Sequence, residues 1–120
     1  MSHIVKIQSD VRRKEIVEKA CQRLGIEPPV EGVHHLFDGK YAGLAVKLEG
    51  WHYPVVFDLE SGEAKFDNYN GAWGKIDRLN EFHVAYGVET VKAEAELAGH
   101  SFSETRLGDG TIEVEIVEAW

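Results

Sequence analysis

Apolar and polar residues change period several times along the 120 residues. From His3 to Gln8 they alternate, with His3, Val5 and Ile7 on one face and Ile4, Lys6 and Gln8 on the other, which is the two-residue period of a strand. Ser9 and Asp10 are residue types that cap helices, and Val11, Ile16, Val17, Ala20 and Leu24 behind them follow a 3.6-residue period. Gly25 ends this predicted helix with a residue that tolerates positive φ, and Pro28 and Pro29 keep it from resuming.

Four strands are predicted next, Val33 to Phe37, Leu44 to Leu48, Tyr53 to Leu59 and Glu63 to Asp67, separated by the turn formers Asp38-Gly39, Glu49-Gly50 and Ser61-Gly62. Within the third, Tyr53, Val55, Phe57 and Leu59 share a face, so the face of Pro54, Val56 and Asp58 is expected to be at least partly wet. Helical spacing returns at Ile76, Leu79, Phe82, His83 and Tyr86, and again at Val88, Val91, Ala95 and Ala98. Gly87 lies between these stripes and predicts a kink or two short helices in tandem. Ser101 to Leu107 and Thr111 to Val117 complete a hairpin around Gly108-Asp109-Gly110. The pattern is α+β, in the order β-α-β-β-β-β-α-β-β, an open antiparallel sheet with both helices on one face. Residues 1–120 are expected to form a single domain, since no repeat or linker interrupts them.

Composition narrows the function more than it names it. No apolar run is long enough to cross a membrane, and the N-terminus lacks the basic and apolar regions of a secretory signal, so a cytoplasmic or organelle-stroma location is expected. Cys21 is the only cysteine, which rules out an internal disulfide; its helical spacing places it on or beside an apolar face as a small core residue. Residues 1–47 carry 8 Lys+Arg and 6 Asp+Glu, whereas residues 48–120 carry 5 and 15. So acidic a second half repels phosphate backbones, and nucleic-acid binding is disfavoured.

Nothing in the sequence assembles a catalytic centre. The six histidines include no His-x-x-x-His helix pair and no His-x-His strand pair, and neighbouring His34 and His35 project to opposite strand faces, so no metal site and no cofactor are expected. Nucleophile-elbow and phosphate-loop motifs are absent. Acid pairs such as Asp58 and Asp67 could face each other across strands as glycosidase carboxylates do, but random placement among 21 acids explains such pairs. More informative is the crowding of large amphipathic side chains around two loops: Trp51, His52 and Tyr53 in one, and Asp67, Tyr69, Asn70 and Trp73 in the other. Such residues anchor interfaces, although they serve equally to plug the end of a core. The leading expectation is a non-enzymatic protein-binding or adaptor domain using that surface. The alternative is a small-molecule or enzymatic pocket built from His3, Asp67 and Tyr69. Unpaired sheet edges offer a route to a homodimer.

Several spaced segments together resemble a known family. They are Met1-Ser2-His3-Ile4-Val5-Lys6-Ile7, Phe66-Asp67-Asn68-Tyr69-Asn70 leading into Trp73-Gly74-Lys75, and Tyr86, Val91-Lys92-Ala93-Glu94-Ala95, Gly99 and Asp109-Gly110-Thr111-Ile112. This set resembles the family of hypothetical chloroplast reading frame thirty-five, small proteins of algal plastids and bacteria. The family has no established activity, so the resemblance implies a shared domain and no catalytic residues. It also implies an accessory or adaptor role beside an ATPase of the AAA type. Trp51-His52-Tyr53-Pro54 and Glu118-Ala119-Trp120 lie outside the family's pattern.

Overall fold

The computed structural model describes residues 4–109 and 111–117. Its elements follow the predicted order: β1 (Val5–Gln8), α1 (Lys14–Leu24), β2 (Val30–Leu36), β3 (Gly39–Val46), β4 (Val55–Phe57), β5 (Glu63–Phe66), α2 (Ile76–Leu97), β6 (Ser101–Arg106) and β7 (Ile112–Val117). β1 to β5 form one antiparallel sheet in the order β1-β5-β4-β3-β2, while β6 and β7 stand apart as a two-stranded ribbon. Alternation along the strands puts Leu44, Val46, Val55, Phe57, Ala64 and Phe66 into the same core as Val17 and Ala20 of α1 and Leu79 and Phe82 of α2. Both helices therefore cover one face of the five-stranded sheet, and β1 and β2 are its edges.

α1 begins later than its apolar period suggests. Its first residue is Lys14 after the extended Arg13, and no side chain caps it. Ser9 and Asp10 serve other partners: Asp10 has φ 59° and its carboxylate accepts from Gln8 and Arg12. Val11 is nevertheless buried, so its apolar character reflects packing of the lead-in segment rather than helix. Gly25 ends the helix as predicted, at φ 70°.

α2 runs unbroken through Gly87 as one helix rather than as two short helices in tandem. The two apolar stripes reflect a change of packing partner along one helix. Leu79 and Phe82 face the main core, while Val88 and Val91 border a hollow shared with β7. Glycine inside a helix costs about 1 kcal/mol relative to alanine. Nothing among the described residues requires it here, because a Cβ at Gly87 would meet none of their atoms within 4 Å.

The β2–β3 hairpin was not legible as an arm. Drawn straight from the Val30–Ala45 pair, its tip would stand about 20 Å away at the strand rise. Instead the Phe37 ring lies 5.4 Å from Trp73, which contacts His52 and Tyr53 at the Val46–Val55 end of the sheet. On the face away from the helices, Lys65 Nζ lies 5.8 Å from the Tyr41 ring. The hairpin thus curls back across the face that the helices leave free. Gly32 and Gly43, paired across the two strands, supply the bend with φ 148° and 153°. At Gly43 a Cβ would sit 2.5 Å from the Phe57 carbonyl oxygen. Ala45 and Val56 point away from the helices yet are buried, as is Leu36, while Pro54 and Asp58 are half-exposed, so this second face is partly wet as expected.

The ribbon is held in another way. Arg23 of α1 donates to Glu89 of α2 and to Glu104 of β6, and Lys92 pairs with both carboxylates. Lys92 also lies 5.0 Å above the Phe102 ring. Two cations and two carboxylates thereby tie both helices to β6, and the hydrogen bond from Arg23 is the main reason that the Glu104 carboxyl sits below its ordinary pKa.

Candidate functional site

Trp73 is the hub of an aromatic cluster drawn from two loops and the arm. Tyr69 stacks on it at 4.7 Å between ring centroids, with Phe37 at 5.4 Å, Tyr53 at 5.6 Å and His52 at 5.9 Å. These separations fall in the range where ring pairs attract beyond simple area burial. The cluster is not closed off: Phe37 is 59% exposed and Tyr69 39%, His52 is exposed, and Tyr53 and Trp73 are half-buried. The sequence pointed to four of these rings. Phe37 was missed because only the curled arm brings it within reach.

Trp51 is a correction. Expected on the surface, it is 4% exposed and belongs to the main core, edge-on to Phe66. Its indole N–H donates to the Lys75 carbonyl, so the one polar atom is satisfied indoors. Gly74 lies flat against this indole, and a Cβ there would collide with the ring. The chain between Lys75 and Trp73 is consequently held close, and the Trp73 carbonyl accepts from the backbone N–H of His52. Burying Trp51 therefore helps to fix Trp73 at the surface.

Asp67 is the second correction, since it is 1% exposed. Its Oδ1 accepts from the Tyr69 backbone N–H, while Oδ2 has no hydrogen-bond partner among the described residues. Tyr69 and Asn70 follow with φ 47° and 53°, a left-handed pair that suits asparagine and strains tyrosine. Asp67 and the Trp73 stack together hold that turn. The Asp67 charge also acts on Tyr41, whose hydroxyl is raised above its ordinary pKa first by its hydrogen bond to Asp38. Asn70 is exposed at the tip. His3 lies outside the described residues. Asp58 does not face Asp67: it accepts from Glu60 and Ser61 in the turn after β4, at the other end of that strand from Asp67.

Elsewhere the titratable groups are dispersed. Among the described residues no three of His, Cys, Asp and Glu are grouped to hold a metal ion. Cys21 is buried in the core, and desolvation pushes its thiol up to about 11. One polar pair escaped the sequence pattern: Ser9 Oγ lies 2.6 Å from His83 Nε2. Burial depresses the His83 pKa, which keeps the ring neutral. A hydroxyl beside a neutral imidazole is the start of a nucleophile and base, but among the described residues no carboxylate hydrogen-bonds this imidazole. The contact joins the end of β1 to α2.

Comparison with known proteins finds no matching family model, no matching curated protein and no matching solved structure. The fold class is α+β, and among the described residues no helix is long and apolar enough to cross a membrane.

Proposed function

We propose that this chain is a protein-binding domain of the adaptor kind, which meets its partner through Phe37, His52, Tyr53, Tyr69 and Trp73. The observation that carries the reading is the five-ring cluster with three rings more than a third exposed, built on a turn held by buried Asp67 and on a buried tryptophan. Aromatic anchors cover much area while fixing few rotors, and a rigid base lowers the entropy lost on docking. The family resemblance makes an ATPase of the AAA type the first partner to test. Edge strand β2, with Val30 61% and Val33 64% exposed, is a separate route for pairing with a second copy.

The test is retention of that ATPase, purified from the native host, by immobilised wild-type chain, by Phe37→Ala/Tyr69→Ala and by a Leu97→Ala control at a remote site 83% exposed. The reading expects the double variant alone to lose the ATPase while its unfolding midpoint stays near that of the control. Equal retention by all three would reject this surface.

A second reading, a small-molecule site around His3, Asp67 and Tyr69, is favoured by the buried Asp67 oxygen that has no partner among the described residues. It requires that chain isolated from its host carry a stoichiometric metabolite which Asp67→Asn releases.

A further inference from the structure

A second surface sharing no residue with the aromatic cluster lies along α2. One stripe of that helix, from Asp77 to Val91, faces a hollow of about 850 Å³ whose opposite wall is the start of β7. At the helical rise this stripe is about 21 Å long, room for a partner helix of some four turns. Its apolar lining comes from Val84, Val88, Val91, Ile112 and Val114, and Val84 is 43% exposed. Around these sit Asp77, Glu81 and Asp109, and no Lys or Arg is among the residues that line the hollow. Glu81 pairs outward with Arg78. His83, the remaining ionisable group on the lining, is bound to Ser9 and kept neutral by burial.

Gly87 sits between Val84 and Val91 on this stripe, in a helix that continues unbroken through it. A side chain there would meet no atom of the described residues within 4 Å, so its absence serves no contact among them. Its effect is to leave a notch in the helix surface where another backbone can approach, as small residues do where helices pack closely.

We infer that this groove takes a cationic amphipathic helix from a partner protein, with aliphatic side chains over the valines and Lys or Arg against Asp77, Glu81 and Asp109. Complementary charge selects this occupant over a second copy. Residues 48–120, which build both walls, hold 15 Asp+Glu against 5 Lys+Arg, so two such surfaces repel. Seating an apolar helix face in a groove is a recurrent mode of peptide recognition.

The experiment measures binding of a fluorescent 14-residue peptide whose helix carries a leucine stripe flanked by lysines, against a scrambled peptide of the same composition. Wild-type chain is expected to bind one striped peptide, with the scrambled one at least ten-fold weaker. Gly87→Gln fills the notch without changing charge and improves helix propensity, so at least a ten-fold loss is expected with no fall in thermal midpoint. Val84→Ser, at a position already open to solvent, should weaken binding in the same direction. Equal binding of the two peptides would mean attraction to an acidic surface only and would overturn the proposal, as would wild-type affinity in Gly87→Gln. Dimerisation of the wild-type chain that Gly87→Gln abolishes would also overturn it, by assigning the groove to a second copy.

Discussion

The two hairpins of this protein solve the same problem by different physics. The β2–β3 arm curls over the free sheet face and is fastened by rings and buried aliphatic residues, with Phe37 against Trp73 and Leu36, Ala45 and Val56 out of water. The β6–β7 ribbon lies beside α2 and is fastened by the Arg23, Glu89, Lys92 and Glu104 ions, with Phe102 beneath Lys92. An apolar clasp is insensitive to salt and acid, whereas an ionic one weakens with both. Each hairpin forms one wall of a candidate surface, so the aromatic cluster should persist under conditions that loosen the groove.

The sharpest way to break this contrast is at the bend of the arm. Gly43→Ala drives a Cβ into the Phe57 carbonyl at a φ that only glycine adopts easily. It should cost about 3 kcal/mol by chemical denaturation, from strain and overpacking together. It should also separate Phe37 from Trp73, visible as a change in tryptophan fluorescence. Arg23→Met comes next, leaving Glu89, itself 9% exposed, with Lys92 as its one cation among the described residues. A loss of about 2 kcal/mol is expected, below the full cost of stranding a buried charge because Lys92 remains. Hydrogen exchange should then rise in β6 and β7 before it rises in β2 and β3.

Acid sharpens the comparison without mutation. The Glu104 pKa is depressed in the folded chain, first by the hydrogen bond from Arg23, so its contribution is complete above the unfolded value of about 4.3 and fades as pH falls through the folded one. Amide protection in the ribbon should decline in that window relative to protection in the arm, as read by exchange factors corrected for intrinsic rate. The smallest effect belongs to Phe37→Ala. At 59% exposure it should cost at most about 1 kcal/mol in denaturant titration.

How much of this was written in the sequence depends on the range of the interaction. Strand and helix order followed from alternation and helical spacing, because those periods are set by local backbone geometry. The curled arm was hidden, since it requires Gly32 to pair with Gly43, and register is decided between strands rather than along one. Ser9 and Asp10 looked like caps by residue type but found partners in Gln8, Arg12 and His83. Gly87 marked a change of environment correctly and a break incorrectly, because tertiary packing on both sides carries α2 through a poor helix former. Trp51 and Trp73 could not be told apart from their neighbours in the chain. What separates them is the Lys75 carbonyl and the flat face of Gly74, both more than twenty residues from Trp51.

Oxidative footprinting of the aromatic side chains, read by mass spectrometry with and without the partner bound, tests the central claim most directly. In the free chain Tyr69, Phe37 and Trp73 should label while Trp51 stays unmodified, and partner binding should protect the first three. Labelling of Tyr69 and Trp73 that does not change when the partner is fully bound would contradict it.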